Sequence, residues 1–81
     1  MKIVRDSLWS TLDELVANKR PNWEHVSGSW VAAWVQSGGT PIEKQVHALG
    51  SLLRRHDRDA MIREIGTTLR SLEEIEMSTA A

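Results

Sequence analysis

The chain has 81 residues, with ten Lys plus Arg against eleven Asp plus Glu, four Trp, and no Phe, Tyr or Cys. That length allows one small domain, which buries only about 60% of the surface its unfolded chain exposes; lacking Cys, it has neither disulfides nor thiolate metal sites. The near-neutral balance argues against a free-standing nucleic-acid binder, which is usually basic, and no window approaches the roughly 18 apolar residues of a membrane span.

The start, Met1-Lys2-Ile3-Val4-Arg5-Asp6, lacks the apolar stretch of a signal peptide. With no disulfide framework to suggest an oxidising compartment, the expectation is a soluble cytoplasmic protein. A domain this small, without disulfides or metal, relies on tight helix packing or on burial against another chain. Breaks at Lys19-Arg20-Pro21-Asn22, at Ser37-Gly38-Gly39-Thr40-Pro41 and around His56-Asp57-Arg58-Asp59 divide the chain into four segments of helical length.

The first helix is expected over about 7–19, capped by Asp6 or Ser7. Leu8, Leu12, Leu15 and Val16 recur at helical spacing, with Trp9 at the edge of that face. Lys19 and Arg20 suit the negative end of the helix dipole, and Pro21 ends the helix. The second helix is expected over about 23–36 with Asn22 as its cap. Trp23, Val26, Trp30 and Trp34 fall within a sector of roughly 80° on it. Val31 and Val35 widen the apolar surface past half the circumference and leave His25, Ser29, Ala32 and Gln36 as a narrow polar strip. A helix apolar over so wide an arc is either central in its bundle or covered by another molecule. Gly38-Gly39 supplies the left-handed residues that close helices.

The third helix is expected over about 41–56, opened by a capping box in Thr40-Pro41-Ile42-Glu43 with Thr40 as cap and Pro41 at the first helical position. Ile42, Val46, Leu49, Leu53 and His56 then follow a 4-3-4-3 spacing. The fourth helix is expected over about 59–77, carrying Ile62, Ile65, Leu69 and Leu72, flanked by Met61 and Ile75. No Pro or Gly interrupts Arg55 to Arg63, but the two stripes point roughly 150° apart on one continuous helix. A turn at His56 to Asp59, with Asp57 or Asp59 capping the next helix, resolves the conflict. Gly28, Gly50 and Gly66 sit inside expected helices, where each costs up to about 1 kcal/mol relative to Ala; each is either a tolerated site or a point of close approach. The expected fold is thus all-α: a small bundle of four short helices in one domain, 1–77, with helices three and four an antiparallel hairpin and a frayed tail at 78–81.

No catalytic constellation is visible. His25, His47 and His56 form no HxxxH or HExxH pair, no GxSxG elbow is present, and Gly38-Gly39 lacks the Lys-Ser/Thr of a phosphate loop. His47 points away from the apolar stripe of its helix, as a solvated histidine does, and His56 beside Asp57 suits a helix end. The expectation is no enzymatic activity, no cofactor and no metal. Arg54, Arg55, Arg58 and Arg63 form a basic cluster that a nucleic-acid regulator could use against phosphates. Against that, a helix-turn-helix built on Ile65-Gly66 would present Glu73, Glu74 and Glu76 to a phosphate-lined groove, and the simpler reading pairs these arginines with neighbouring carboxylates.

The tryptophan stripe carries the sharpest expectation. Either Trp23, Trp30 and Trp34 fill the core against Leu12, Val46 and Leu69, or one or two of them stay outward and anchor a partner. Three indoles plus Val31 and Val35 on one short helix are hard to bury in so small a bundle, and Trp is enriched at interface hot spots. The expected function is a small regulator, adaptor or inhibitor acting on another protein or a second copy of itself through Trp23, Trp30, Val31, Trp34 and Val35. The alternatives are a nucleic-acid-binding regulator and a purely structural homodimeric subunit. The general character, small, Cys-free and helical, is shared in type with many short bacterial and phage regulatory proteins, and it assigns no residue a role.

Overall fold

A computed structural model of the chain describes residues 2–79, with the backbone alone for Thr79. Four helices follow one another: α1 (Lys2–Ala17), α2 (Trp23–Ser37), α3 (Glu43–Arg54) and α4 (Arg58–Thr79). They form an all-α bundle in which, among the described residues, each helix packs on its two neighbours in the ring α1–α2–α3–α4–α1. Successive helices are antiparallel. Trp23 at the start of α2 meets His56 after α3, Arg58 at the start of α4 bonds the end of α1, and Arg5 near the start of α1 pairs with Glu76 near the end of α4 at 2.6 Å. The α3–α4 hairpin is as expected. The bundle measures 41 × 20 × 17 Å.

The core is a single cluster running the length of the bundle: Val4, Leu8 and Leu15 from α1, Val26 and Ala33 from α2, Ile42, Val46 and Leu49 from the α3 region, and Met61, Ile65 and Leu72 from α4. Helix α1 starts at Lys2, five residues before the expected 7, because Val4, Leu8, Thr11 and Leu15 extend the 4-3-4 stripe back past Asp6 and Ser7. Its end at Ala17 puts Lys19 and Arg20 in the connection rather than the last turn. Val16 is exposed and Leu12 only partly buried, so the buried line is rotated toward Thr11. The Thr11 hydroxyl lies 2.6 Å from that of Ser29 and donates to the Ser7 carbonyl. Two small side chains there let α1 and α2 come close.

Asn22 caps α2 as expected, its side-chain oxygen accepting from the Glu24 and His25 N–H groups. The opening of α3 is different from the expected capping box. The Thr40 hydroxyl donates backward to the Ser37 carbonyl, and the Glu43 carboxylate accepts the Gly39 N–H at 2.7 Å instead of that of Thr40. Pro41 therefore stays outside a helix that starts at Glu43, not 41, while Ile42 is fully buried.

The turn between α3 and α4 falls where the phase argument requires it. Arg54 ends α3, two residues before the expected 56. His56 takes a left-handed conformation (φ 52°), the Asp57 N–H bonds the Leu52 carbonyl, and the His56 N–H bonds that of Leu53. That pair of bonds is a Schellman closure with histidine where glycine is usual. Asp57 then caps α4 by accepting the Ala60 N–H. The buried line of α4 is Met61, Ile65, Thr68 and Leu72, with Ile62 and Leu69 at its flank. Helix α4 continues through Ser78 and Thr79, two residues of the tail expected at 78–81; Ala80 and Ala81 lie outside the described residues.

Candidate functional site: the outer face of α2

The buried line of α2 is Val26, Ala33 and Ser37. Measured around the helix from Val26, Ala33 and Ser37 lie within about 20°, Trp30 at about 40°, Trp23 at about 60° and Trp34 at about 80°. The small residues face the bundle axis, where α1 comes close, and the three indoles are displaced to one flank. There they form a row along α3. Trp23 stacks on His56 (ring centroids 4.3 Å apart, 6° between planes). Trp30 lies against Gly50 and donates its Nε1–H to the Val46 carbonyl at 2.8 Å. Trp34 stacks on Trp30 at 5.5 Å and tilts against His47 at 5.9 Å.

The tryptophan stripe is thus mostly the α2–α3 seam. Trp23 and Trp30 are partly buried within the bundle, packed against its core, as the first of the two expected alternatives has it. The expected Leu12 and Leu69 partners sit instead across the bundle, in the groove between α1 and α4. The polar strip also shifts, since Ser29 turns to Thr11 of α1. What stays outward is Trp34, 40% exposed, with Val31 at 41% and Val35 at 64%. Val31 and Val35 point about 140° and 180° away from the core axis. Among the described residues no other helix packs on that side of α2, so three large apolar groups face solvent together.

Elsewhere the exposed apolar groups are more scattered. Trp9, 49% exposed, borders a groove between α1 and α4 floored by Leu12 and Leu69 and rimmed by Arg5, Arg70 and Glu73. Sequence reasoning placed Trp9 only at the edge of its face; the groove exists because Gly66 leaves open space beside it, with nothing within 4 Å of where a Cβ would stand.

The basic cluster divides. Arg54 and Arg55 are exposed at the end of α3. Arg58 turns inward, its Nε donating to the Leu15 carbonyl at 2.7 Å and the Asn18 carbonyl at 3.0 Å, so that it closes the carbonyl end of α1. Arg63 is exposed along α4, 4.0 Å from Glu64. The fold brings Lys19 and Arg20, both exposed in the α1–α2 connection, to the same end of the bundle as Arg54 and Arg55. No local spacing in the sequence signals that meeting. Among the described residues no group of three or more His, Asp or Glu side chains is placed to hold a metal ion, and no helix is long and apolar enough to cross a membrane.

Compared with protein-family models, curated proteins and solved structures, the chain matches none of them.

Proposed function

We propose that this is a small non-enzymatic interaction protein of the cytoplasm, a regulator, adaptor or inhibitor that works by covering a protein surface with the outer face of α2. The observation that carries the reading is the exposed group Val31, Trp34 and Val35 on a helix whose opposite face is already packed. Such a face gains affinity by apolar burial, and the half-exposed Trp34 is its natural anchor, since truncating a central interface Trp commonly weakens binding by about 2 kcal/mol or more. Polar side chains around the strip fix orientation rather than affinity.

The nucleic-acid alternative is weaker, because Arg58 is engaged with the end of α1 and Arg63 lies beside the Glu64 carboxylate. A purely structural homodimeric subunit would use the same face of α2. The test is capture of partners from a lysate of the native host by the tagged protein. The control is Trp34→Ala/Val35→Asp, verified as folded by circular dichroism; Trp30→Ala is unsuitable because that indole bridges α2 and α3. A protein retained by wild type and lost with the control is the expected result. Identical captures by both, or salt-sensitive retention of nucleic acid by both, would overturn the reading.

A further inference from the structure

Helix α2 carries two seams. Val26, Trp30, Ala33 and Ser37 follow a 4-3-4 spacing and face the bundle; Glu24, Gly28, Val31 and Val35 follow the same spacing and face solvent. The second set lies within a sector of about 60° on the opposite side of the helix. Apolar residues at a 4-3-4 spacing are what let two helices interlock, and in the outer set Val31 and Val35 are the apolar members. We propose that this outer seam is the contact of a two-fold symmetric homodimer, α2 packing antiparallel against the α2 of a second copy. The inference rests on the outer face of α2 being an interaction surface, and it names the occupant of that surface.

Three observations favour a second copy. The first is room for close approach. Nothing lies within 4 Å of where a Cβ on Gly28 would stand, so a partner helix can come close beside Val31. The second is charge. Glu24 stands at the N-terminal end of the strip, and Lys44 lines the same shallow depression as Trp34 at the other end. Both are exposed, and neither has an ion-pair partner among the described residues. The neighbouring Glu43 carboxylate is held by the Gly39 N–H.

The third is the spacing of those charges. Glu24 lies seven residues before Val31, about 10 Å along the axis. Trp34 lies three residues past Val31 and contacts His47; Lys44 lies a further three residues along the antiparallel α3, which places it about 9 Å past Val31. A two-fold axis near Val31 therefore sets Glu24 of each copy at the level of Lys44 of the other, twice. A parallel pairing would set like charges against like. That pair, repeated twice, meets the self-complementarity an isologous contact requires, with the exposed Lys19, Arg20, Arg54 and Arg55 standing at the Glu24 end as well.

The footprint sets the strength. About a tenth of the 5247 Å² surface of each copy, roughly 500 Å², would be covered if the contact took the usual share of a small protein's surface. The pair then buries roughly 1,000 Å², the low end for a specific contact, where association is weak.

Sedimentation equilibrium of the wild-type protein from about 1 µM to about 1 mM, the range in which weak contacts dissociate, should show a monomer–dimer equilibrium. Val31→Asp/Val35→Asp should be monomeric throughout while keeping the wild-type circular dichroism spectrum. Glu24→Lys and Lys44→Glu should each weaken the dimer about tenfold, and the two together should restore it to within about threefold of wild type. A wild-type protein that stays monomeric, or a dimer that survives the double aspartate change, overturns the homodimer, and a charge exchange that fails to restore association overturns its antiparallel register. The broader reading is scored separately by lysate capture. If the wild type is monomeric yet retains a host protein that the aspartate variant loses, only the homodimer fails; if both capture the same proteins, the outer face of α2 covers no host protein and only the broader reading fails.

Discussion

Gly50 and Gly66 look equivalent in sequence, each a glycine inside a helix, yet their substitution by Ala should change stability in opposite directions. On propensity alone each Gly→Ala change stabilises a helix by up to about 1 kcal/mol. At Gly66 nothing lies within 4 Å of the new methyl group, so Gly66→Ala should realise that gain. At Gly50 the methyl would stand 2.9 Å from Cζ2 and 3.1 Å from Cη2 of Trp30. The indole is rigid and is pinned by its bond to the Val46 carbonyl and by its stack with Trp34. Overpacking of this kind costs about 1–3 kcal/mol. If the ring swings away instead, it gives up a hydrogen bond worth about 1 kcal/mol and an aromatic contact worth about 0.5–1.5 kcal/mol. After the propensity gain is subtracted, Gly50→Ala should be less stable than wild type by up to about 2 kcal/mol, which in a domain of this size lowers Tm by up to roughly 16 °C. Urea denaturation followed by far-ultraviolet circular dichroism measures both variants, at protein concentrations low enough to keep any self-association out of the equilibrium. In a Trp30→Leu background the Gly50→Ala penalty should shrink or change sign, because the clashing atoms are gone. A Gly50→Ala protein as stable as Gly66→Ala would refute the proposed packing of Trp30 on α3.

Two other positions give sharp comparisons. His56→Ala keeps a side chain in the left-handed region and loses the stack on Trp23, whereas His56→Gly loses the stack but relieves the backbone, so the Gly variant should be the more stable of the two by about 1 kcal/mol in chemical denaturation. Arg58→Ala removes two bonds to the carbonyl end of α1 and should cost about 1–3 kcal/mol, while the exposed Arg54→Ala and Arg55→Ala should stay within about 0.5 kcal/mol of wild type; equal effects at all three would remove the assigned capping role of Arg58.

The number and order of the helices were legible because the breaks are chemical. Pro21 and the Gly38-Gly39 bend, of which Gly39 alone is left-handed (φ 78°), fall in the connections, and the phase change after Leu53 requires the third break. The helix starts were less legible. Asp6 and Ser7 read as a cap for α1, yet burial of Val4 holds the preceding turn in the helix, and tertiary packing outweighs a local capping preference. Thr40 and Glu43 have the residue types of a capping box, but both turn to the preceding Ser37-Gly38-Gly39 bend, where unpaired backbone groups are closer at hand. Arg58 reads from composition as a surface arginine. That it closes a helix forty residues earlier depends on α1 and α4 being neighbours, which no local pattern encodes.

The face of α2 was the hardest to resolve. Hydrophobicity alone could not separate its two sides, because the apolar arc exceeds half the helix. What separates them is size. Where α1 approaches, the buried positions are Ala33, Ser37 and Val26, with Ser29 against Thr11, and an indole there would hold the two helices apart. Small residues read as neutral in a sequence therefore mark the inner side, and the tryptophans, which read as core, are pushed to the flank. The inner and outer 4-3-4 sets are offset by two residues, about 200° around the helix, so neither can serve both sides. One wide apolar arc in the sequence thus becomes two seams in the fold, and the four helices of a single chain supply a neighbour for only one of them.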